Sequence, residues 1–289
     1  MLSGTPLHHN TLYVSDLDGT LLGDDAGLSA RSFGILSRLL GRGMAFTVAS
    51  ARSVVSMEQV LGNLPLALPV IEFNGAFLTD FRTGKHLVVN AIDSNLCAEI
   101  LVSLKSRGVE PLVSAFDGDS DCLYHERILN DGMRGYLNSR IESNDRRVRS
   151  PIRLDQCLGH KVVCFTIIDG EKRLVDLRCE LEEKYGEQLV FHLYQDPYSG
   201  WHWLTMHDRR STKDQAIRRM QSMFGLDAYG LTVFGDHIND IRMFQIADTA
   251  VAVSNAQPSV MPYASEIVGS NREDSVAAYL ERAYGAVMK

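Results

Sequence analysis

Hydrophobic positions in this chain fall into short apolar runs separated by longer amphipathic stretches. In the first quarter, apolar runs near residues 12–14, 44–49 and 70–73 alternate with stretches of helical periodicity at 29–40 and 54–61. A short apolar run indicates a buried strand, and hydrophobic positions that recur with the helical period indicate an amphipathic helix. Their alternation is typical of a parallel sheet covered by helices, so the pattern predicts an α/β fold.

The pattern changes at about residue 81, where an inserted α+β segment is predicted to begin. Residues 82–85 fit a hairpin turn, and the apolar run 86–89 follows them. Three helices and three strands are predicted within the insert. The helices are expected at 96–105, 128–141 and 171–184, and the strands at 110–114, 161–168 and 188–193.

Beyond the insert, the chain is predicted to return to the first domain. A strand at 201–206 and a helix after Thr212 resume the earlier pattern. The length of 289 residues also fits two domains, since one domain commonly has about 150 residues. We therefore predict a core formed by residues 1–82 and 195–289, interrupted by an α+β domain at 83–194.

The strongest chemical signal is the run Asp16-Leu17-Asp18-Gly19-Thr20, which follows the apolar run 12–14 after one intervening serine. Two carboxylates at the end of a buried strand are costly to desolvate unless a cation or hydrogen bonds compensate. Their oxygens suit Mg²⁺, and Gly19 permits a turn whose N–H groups face an anion, beside the Thr20 hydroxyl. One carboxylate could attack phosphorus to form an aspartyl-phosphate while the other donates a proton. The alternative is a solvated, Asp-rich loop.

A second acidic cluster, Gly235-Asp236-His237-Ile238-Asn239-Asp240, follows the apolar run 231–234. Asp236 and Asp240 are four residues apart, so both can face one site from the start of a helix. An N-cap role for Asp236 is the alternative, because Asp is common at helix starts. Capping alone does not explain why both acidic clusters follow strands, where open α/β sheets bind ligands. A shared site is therefore predicted.

With these motifs in order, the chain resembles the haloacid dehalogenase (HAD) superfamily of phosphatases, and more narrowly its Cof-type subclass IIB. The second motif stands at Val48-Ala49-Ser50-Ala51-Arg52 and the third at Lys213, between the two acidic clusters. The resemblance covers nearly the whole chain. It implies a Rossmann-like parallel-sheet catalytic core with the insert as a C2-type cap domain that acts as a lid.

The resemblance also implies roles for the acidic residues. Asp16 is expected to be the nucleophile and Asp18 the general acid/base. Mg²⁺ is expected to be held by Asp16, by the backbone carbonyl of Asp18 and by Asp236. Asp240 is expected to support the metal site without binding the metal directly. Phosphoryl transfer depends mainly on in-line positioning and charge stabilisation, which a cation and an ammonium supply.

The polar residues of the other motifs are expected to contact the substrate. Ser50 would donate a hydrogen bond to the transferring phosphoryl group, Lys213 would neutralise its charge, and Asn239 would orient the phosphate or the lysine. Further substrate contacts are expected from the first turn and from two later polar residues: Gly19, Thr20, Arg52 and Asn74.

Two positions depart from the usual family sequence. Ala51 replaces a common glycine in the second motif, and Asp214 follows Lys213 where glycine is usual. The first change keeps the Ser50 hydroxyl, and the second places a carboxylate beside the phosphate-binding ammonium. Neither removes an atom that the chemistry requires, so catalysis is expected to be retained.

Composition limits the partners and the compartment. A formal net charge of −7 argues against a nucleic-acid or anionic-membrane surface. The five cysteines are odd in number and show no C-x-x-C spacing, which fits a reducing cytoplasm. We expect a small phosphate ester as the partner, no nucleic acid or membrane, and a monomer or homodimer.

The sequence thus predicts a Mg²⁺-dependent cytoplasmic phosphatase that hydrolyses a small phosphorylated metabolite, such as a sugar phosphate, through an aspartyl-phosphate. Two alternatives remain open. A phosphomutase also uses two aspartates and a lid, and a signalling or binding module could accept a phosphoryl group on Asp16 without turnover. The sequence does not identify the cap residues that would select the substrate.

Overall fold

The computed structural model describes residues 10–196 and 199–285. The chain forms two compact units. Unit 1 contains the chain up to Val88 and from Thr212 onward, and unit 2 runs from Val89 to Ser211.

Helices and strands alternate along much of the described chain. The first group comprises β1 (Thr11–Ser15), α1 (Ala30–Leu40), β2 (Ala45–Val48), α2 (Val54–Leu61), β3 (Val70–Glu72), β4 (Phe77–Asp80) and β5 (Lys85–Val89). The second comprises α3 (Ser94–Ser106), β6 (Leu112–Phe116), β7 (Asp121–Tyr124), α4 (Asp131–Glu142), β8 (Lys161–Asp169), α5 (Glu171–Tyr185), β9 (Leu189–Gln195) and β10 (His202–Asp208). The third comprises α6 (Lys213–Phe224), β11 (Gly230–Gly235), α7 (Ile241–Ile246), β12 (Thr249–Val253), β13 (Glu266–Val268) and α8 (Ser275–Gly285).

Unit 1 is built on a five-stranded parallel sheet with the order β13, β12, β11, β1, β2. Strand β1 lies between β11 and β2, and its successive residues Leu12, Tyr13 and Val14 are all buried, as expected for a strand covered on both faces. A parallel bridge between Ala49 and Ile71 places β3 beside β2, and β3 also forms a smaller sheet with β4 and β5. The parallel sheet confirms the predicted α/β class.

Polar caps fix the start of α2 directly after the second motif. Ser53 accepts a hydrogen bond from the backbone N–H of Ser56 (3.3 Å), and the fully buried Glu72 carboxylate accepts one from Val54. These bonds satisfy N–H groups that the first turn of a helix leaves without partners. The segment between β2 and α2 is therefore anchored at the carboxyl edge of the sheet.

Unit 2 is an antiparallel sheet with the order β7, β6, β8, β10, β9 and three helices. One face of the sheet shares an apolar core with α3 and α5: Ile100, Leu104, Val113, Phe165, Leu177, Leu181, Leu204 and Met206. On the other face, α4 contributes Met133 and Leu137 to a smaller cluster with Leu112 and Ile168. Antiparallel strands with helices match the predicted α+β character of the insert.

The structure corrects the boundaries predicted for the insert. The strand predicted at 201–206 is β10, and it pairs with β8 and β9 inside unit 2, so the chain returns to unit 1 at Thr212 and not at 195. The first boundary lies at Val88 and not at residue 82. An apolar run indicates a strand but does not identify the sheet that the strand joins. Here Leu204 and Met206 of this strand are buried in the core of unit 2.

Strand β7 is absent from the elements predicted for the insert. It has only four residues and begins at the half-buried Asp121, so its apolar signal is short. In the part of the chain that the structure describes, no helix has both the length and the apolar character needed to cross a bilayer.

Candidate active site

The two acidic clusters meet at the carboxyl edge of the parallel sheet in unit 1. Strands β1 and β11 pair in register, and the Asp16 N–H donates to the Phe234 carbonyl (2.9 Å). The chain segments after these strands therefore leave the sheet side by side. Carboxylate oxygens of Asp16, Asp236 and Asp240 all lie within 4.8 Å of one another. The shared site predicted from the two motifs is present as a cluster of three carboxylates.

Lys213, the first residue of α6, links two of these carboxylates. Its fully buried Nζ donates to Asp16 Oδ1 and to Asp240 Oδ1, each at 2.7 Å. The second oxygen of Asp240 accepts from the backbone N–H groups of Asp236 (3.0 Å) and His237 (2.9 Å). Asp240 therefore holds both the lysine and the loop that carries Asp236.

The alternative N-cap role for Asp236 is not what the structure shows. The short 3₁₀ turn Ile238–Asp240 has His237 as its N-cap, and Asp240 returns the reciprocal hydrogen bond. Asp236 instead accepts a hydrogen bond at Oδ1 from the Thr20 hydroxyl (2.7 Å), which joins the second acidic cluster to the first motif.

Burial and charge crowding shift the ionisation of this cluster. Burial raises the pKa of Asp16 well above its usual range, Lys213 opposes that shift, and the neighbouring carboxylates add to it. Burial, and then the Asp240 carboxylate, raise the pKa of Asp236 to about 7. Burial disfavours the Lys213 ammonium, but Asp16 and Asp240 outweigh this cost and raise its pKa above the usual value.

The composition of the cluster fits a hard divalent cation. Three carboxylates face one ammonium, so full ionisation leaves an excess of two negative charges in a buried site. The offered donors are all oxygens, which is the set that Mg²⁺ and similar cations prefer. Asp16 and Asp236 are the better direct ligands, because both oxygens of Asp240 already accept hydrogen bonds.

Close backbone packing requires glycine at two places in this site. Gly19 has φ +74°, and a Cβ there would lie 2.5 Å from Asp236 Oδ2. Gly235 is limited by space alone, since a Cβ would lie 2.7 Å from the Asp240 side chain. Both glycines thus let carboxylates of the site approach the backbone.

The side chain of Asp18 is paired with Arg52. Arg52 Nε donates to Asp18 Oδ2 (2.7 Å) and Nη2 donates to Oδ1 (2.6 Å), which is a bidentate ion pair. The Asp18 carboxylate is not part of the three-carboxylate cluster, so a metal contact of Asp18 through its backbone carbonyl stays a prediction.

Ser50 lies next to the first motif at the end of β2. The preceding residue, Ala49, donates its N–H to the Ser15 carbonyl (2.9 Å), so Ser50 follows β2 where Asp16 follows β1. The Ser50 hydroxyl is buried and accepts from the Arg52 N–H (3.1 Å). The structure thus brings the second motif beside the first.

Asn74 and Asn239 form an amide pair that connects β3 to the second acidic cluster. Asn239 Nδ2 donates to Asn74 Oδ1 (3.0 Å), and the Asn74 N–H donates to the Ser50 carbonyl (2.9 Å). A Cβ on the next residue, Gly75, would lie 2.6 Å from the Thr212 carbonyl, so this turn packs against the start of α6. Residues that were predicted to bind the substrate therefore lie in one region of unit 1.

The sequence reasoning assigned no role to two asparagines that brace the first motif. Asn255 Nδ2 donates to the Gly19 carbonyl (2.7 Å), and Asn255 Oδ1 accepts from the N–H of Asn271 (2.9 Å). Asn271 Nδ2 also donates to the Leu22 carbonyl (2.9 Å). The available signal was their position after β12 and β13, since residues beyond parallel strands meet at the same edge of the sheet.

Two known phosphatases are similar to this chain over most of its length. A 5-amino-6-(5-phospho-D-ribitylamino)uracil phosphatase of Bacillus subtilis is 24% identical over 273 residues, covering 93% of this chain and 96% of that protein. An HMP-PP phosphatase of Yersinia enterocolitica is 24% identical over 272 residues, covering 93% and 94%.

Solved structures show the same fold. A crystal structure of a Thermotoga maritima protein matches with a TM-score of 0.77 and 24% identity, covering 95% of this chain and 97% of that chain. A haloacid dehalogenase-like hydrolase of Bacteroides thetaiotaomicron matches with a TM-score of 0.76 and 20% identity, covering 94% and 99%.

The family model of the haloacid dehalogenase-like hydrolases matches residues 13–280, a span that contains all four motifs. Enzymes of this family generally use a divalent metal, which fits the oxygen donors of the cluster. The resemblance inferred from the motifs is thereby confirmed, together with the predicted enzyme class. The chain belongs to the haloacid dehalogenase-like hydrolase family, as one of its phosphatases.

Proposed function

We propose that this phosphatase hydrolyses a small phosphorylated metabolite with the help of Mg²⁺, through an aspartyl-phosphate on Asp16. The observation that carries the proposal is the position of Asp16. Its carboxylate lies at the end of the interior strand β1, Lys213 fixes Oδ1 at 2.7 Å, and two further carboxylates lie within 4.8 Å. A buried, oriented carboxylate next to a cation-binding cluster is the arrangement that nucleophilic attack on phosphorus requires.

The reaction proceeds in two displacements. Asp16 attacks phosphorus, the bond from phosphorus to the ester oxygen breaks, and Asp18 gives its proton to the departing alcohol. Asp18 then takes a proton from a water molecule that attacks the phosphorus of the aspartyl-phosphate. This second step breaks the bond between phosphorus and the Asp16 oxygen, releases inorganic phosphate, and restores the Asp16 carboxylate and the proton on Asp18.

Other residues of the site stabilise and orient the phosphoryl group. Lys213 offsets its negative charge, and the Ser50 hydroxyl donates a hydrogen bond to a phosphoryl oxygen. Asn239, whose amide nitrogen donates to Asn74, offers a further polar group to the phosphate. Mg²⁺, when bound by Asp16, Asp236 and the Asp18 carbonyl with support from Asp240, would lower the charge repulsion between nucleophile and phosphate. The turn through Gly19 and Thr20 offers further donors to the phosphate.

The substrate class rests on the relatives and on the fold. Both relatives described above carry phosphatase names that specify small phosphorylated compounds, and the coverage exceeds nine-tenths of each protein. We propose a substrate of similar size, such as a sugar phosphate, and a monomeric or homodimeric enzyme. The five cysteines are unpaired, which supports a reducing cytoplasm as its compartment.

The test is phosphate release from a panel of sugar phosphates, nucleotides and pyridoxal phosphate, with Mg²⁺ and with EDTA. We expect metal-dependent release from at least one compound. Isomerised sugar phosphate without free phosphate would instead indicate a mutase. A single slow phosphorylation without turnover would indicate a phospho-accepting module and contradict the proposal.

Metal binding should depend on pH because protons compete for the same oxygens. The pKa of Asp236 in the metal-free protein is about 7, so the group is increasingly protonated as the pH falls below that value. We expect the apparent Mg²⁺ affinity to fall by up to about tenfold per pH unit below 7 and to level off above 8. Calorimetric titration at pH values from 5.5 to 8.5 measures this. Asp236→Asn should weaken binding and flatten the profile, and a flat wild-type profile would contradict the assignment.

A further inference from the structure

The ion pair between Asp18 and Arg52 joins the two chain segments that follow β1 and β2. Arg52 offers two parallel donors to the two oxygens of Asp18, at 2.7 Å and 2.6 Å. The pair is not deeply buried, since the Asp18 side chain is 38% exposed and that of Arg52 is 18% exposed. The proposed general acid is therefore bound to a cation at the accessible side of the site.

Arg52 is also attached to the residue proposed to contact phosphate. Its backbone N–H donates to Ser50 Oγ (3.1 Å), and its Nη1 donates to Ser56 Oγ (3.2 Å). Lys213, by contrast, is fully buried between two carboxylates. Arg52 is thus a cation of the site whose partner, Asp18, is partly exposed to solvent. Its backbone is hydrogen-bonded directly to the Ser50 side chain.

The guanidinium group suits both of the anions that it can meet here. Its planar pair of N–H donors matches a carboxylate and a phosphate with the same bidentate geometry. A partly exposed ion pair is also cheap to separate, because solvent screens its attraction. Exchanging one bidentate anion for another therefore leaves the number of charge-assisted hydrogen bonds unchanged.

We propose that Arg52 exchanges partners when a phosphate ester binds. In the free enzyme it holds the Asp18 carboxylate. In the complex it transfers the same donors to the phosphoryl group, and the released Asp18 takes up a proton from water and turns toward the leaving oxygen. This inference rests on the proposed function. It makes Arg52 a positioning residue for Asp18 before binding, and it makes release of the general acid depend on the presence of phosphoryl oxygens.

The exchange can be tested with inorganic phosphate as the probe, in the presence of Mg²⁺. Calorimetry compares the wild type, Asp18→Asn, Arg52→Met and the double variant. In the Asp18→Asn background Arg52 keeps its contact with Ser56 but no longer pairs with a carboxylate at position 18, so an effect of Arg52 on phosphate affinity there does not act through Asp18. We expect Arg52→Met to weaken phosphate binding by at least about tenfold in that background, as for a lost charge-assisted contact. Unchanged affinity there would overturn the exchange, because Arg52 would then act only on Asp18.

A direct readout is the ¹⁵N resonance of Arg52 Nε, assigned by its loss in Arg52→Met. We expect it to shift on addition of phosphate in the wild type and to stay unchanged on addition of chloride. Arg52→Lys should restore only part of the affinity, because an ammonium lacks the paired donors. Arg38→Met, which removes an exposed arginine that pairs with Glu281 at the surface, serves as the control and should bind phosphate like the wild type.

The outcomes separate this inference from the proposed function. Phosphate binding that depends on Arg52 in the Asp18→Asn background, without hydrolysis of any ester by the wild type, would refute the function and leave the exchange standing. Ester hydrolysis by the wild type, together with a phosphate affinity that does not change when Arg52 is replaced, would refute the exchange alone. Absence of phosphate binding in every variant would also overturn the exchange.

Discussion

Asp16→Asn is expected to lower phosphate release by at least about a thousandfold on every substrate that the wild type hydrolyses. The amide cannot act as the nucleophile, although its oxygen can still accept the hydrogen bond from Lys213 that fixes Oδ1 in the wild type. Steady-state phosphate release with Mg²⁺ measures the effect.

The fold of this variant should be preserved. Burial raises the pKa of Asp16, so the ionised group opposes folding of the metal-free protein at neutral pH, and this penalty fades as the pH falls toward the unfolded pKa. Replacing the carboxylate with an amide removes the penalty, and the free energy of unfolding at pH 7.5 should stay equal or rise. Asp24→Asn, at an exposed ion pair with Arg272, is the matched control and should keep full activity. Wild-type activity in Asp16→Asn would eliminate Asp16 as the nucleophile.

Lys213→Met is expected to damage both stability and catalysis. The substitution leaves Asp16 and Asp240 buried without the ammonium that both contact at 2.7 Å. Removal of one partner from a buried ion pair costs about 3–5 kcal/mol of unfolding free energy. We expect phosphate release to fall at least about a hundredfold even where the variant remains folded, because the phosphoryl charge is no longer offset.

The stability loss in Lys213→Met should depend on pH in a defined direction. Lys213 lowers the pKa of Asp16, so its removal raises that pKa further in the folded state. A carboxyl whose pKa is raised on folding contributes stability at low pH that is lost as the pH increases. Urea unfolding at pH 5.5 and 8 should therefore show a larger deficit at pH 8. Lys105→Met, at an exposed pair with Glu126, should cost at most about 1 kcal/mol at either pH. An equal deficit at both pH values would contradict this account of the buried pair.

The sequence was sufficient to predict how the acidic clusters meet, because that meeting follows from sheet geometry. Asp16 and Asp236 each stand two residues beyond the end of an apolar run, and the carboxyl ends of parallel strands lie on one edge of the sheet. Helix α2 was predicted over the same residues because the apolar positions repeat with the helical period, and the structure adds a Ser53 cap at its start.

The sequence could not show which strands pair and which side chains make contact when the segments lie far apart in the chain. The strand at 202–208 reads as apolar whichever sheet it joins, and only packing places it between β8 and β9. The bidentate pair of Asp18 with Arg52 depends on two side-chain conformations that no residue pattern encodes. The contact between Asn255 and Gly19 spans more than two hundred positions, and an isolated asparagine gives no local signal of it.

The close packing at Gly19, Gly75 and Gly235 has a consequence for how this site tolerates genetic variation. In each case a single added methyl group would overlap an atom of the site or of the start of α6, at 2.5 to 2.7 Å. None of the three glycines has a side-chain functional group. A library screened for activity would therefore lose variants at these positions for steric reasons alone. Such a screen would rank these glycines beside the carboxylates, and separate measurements of expression and turnover would be needed to tell the two groups apart.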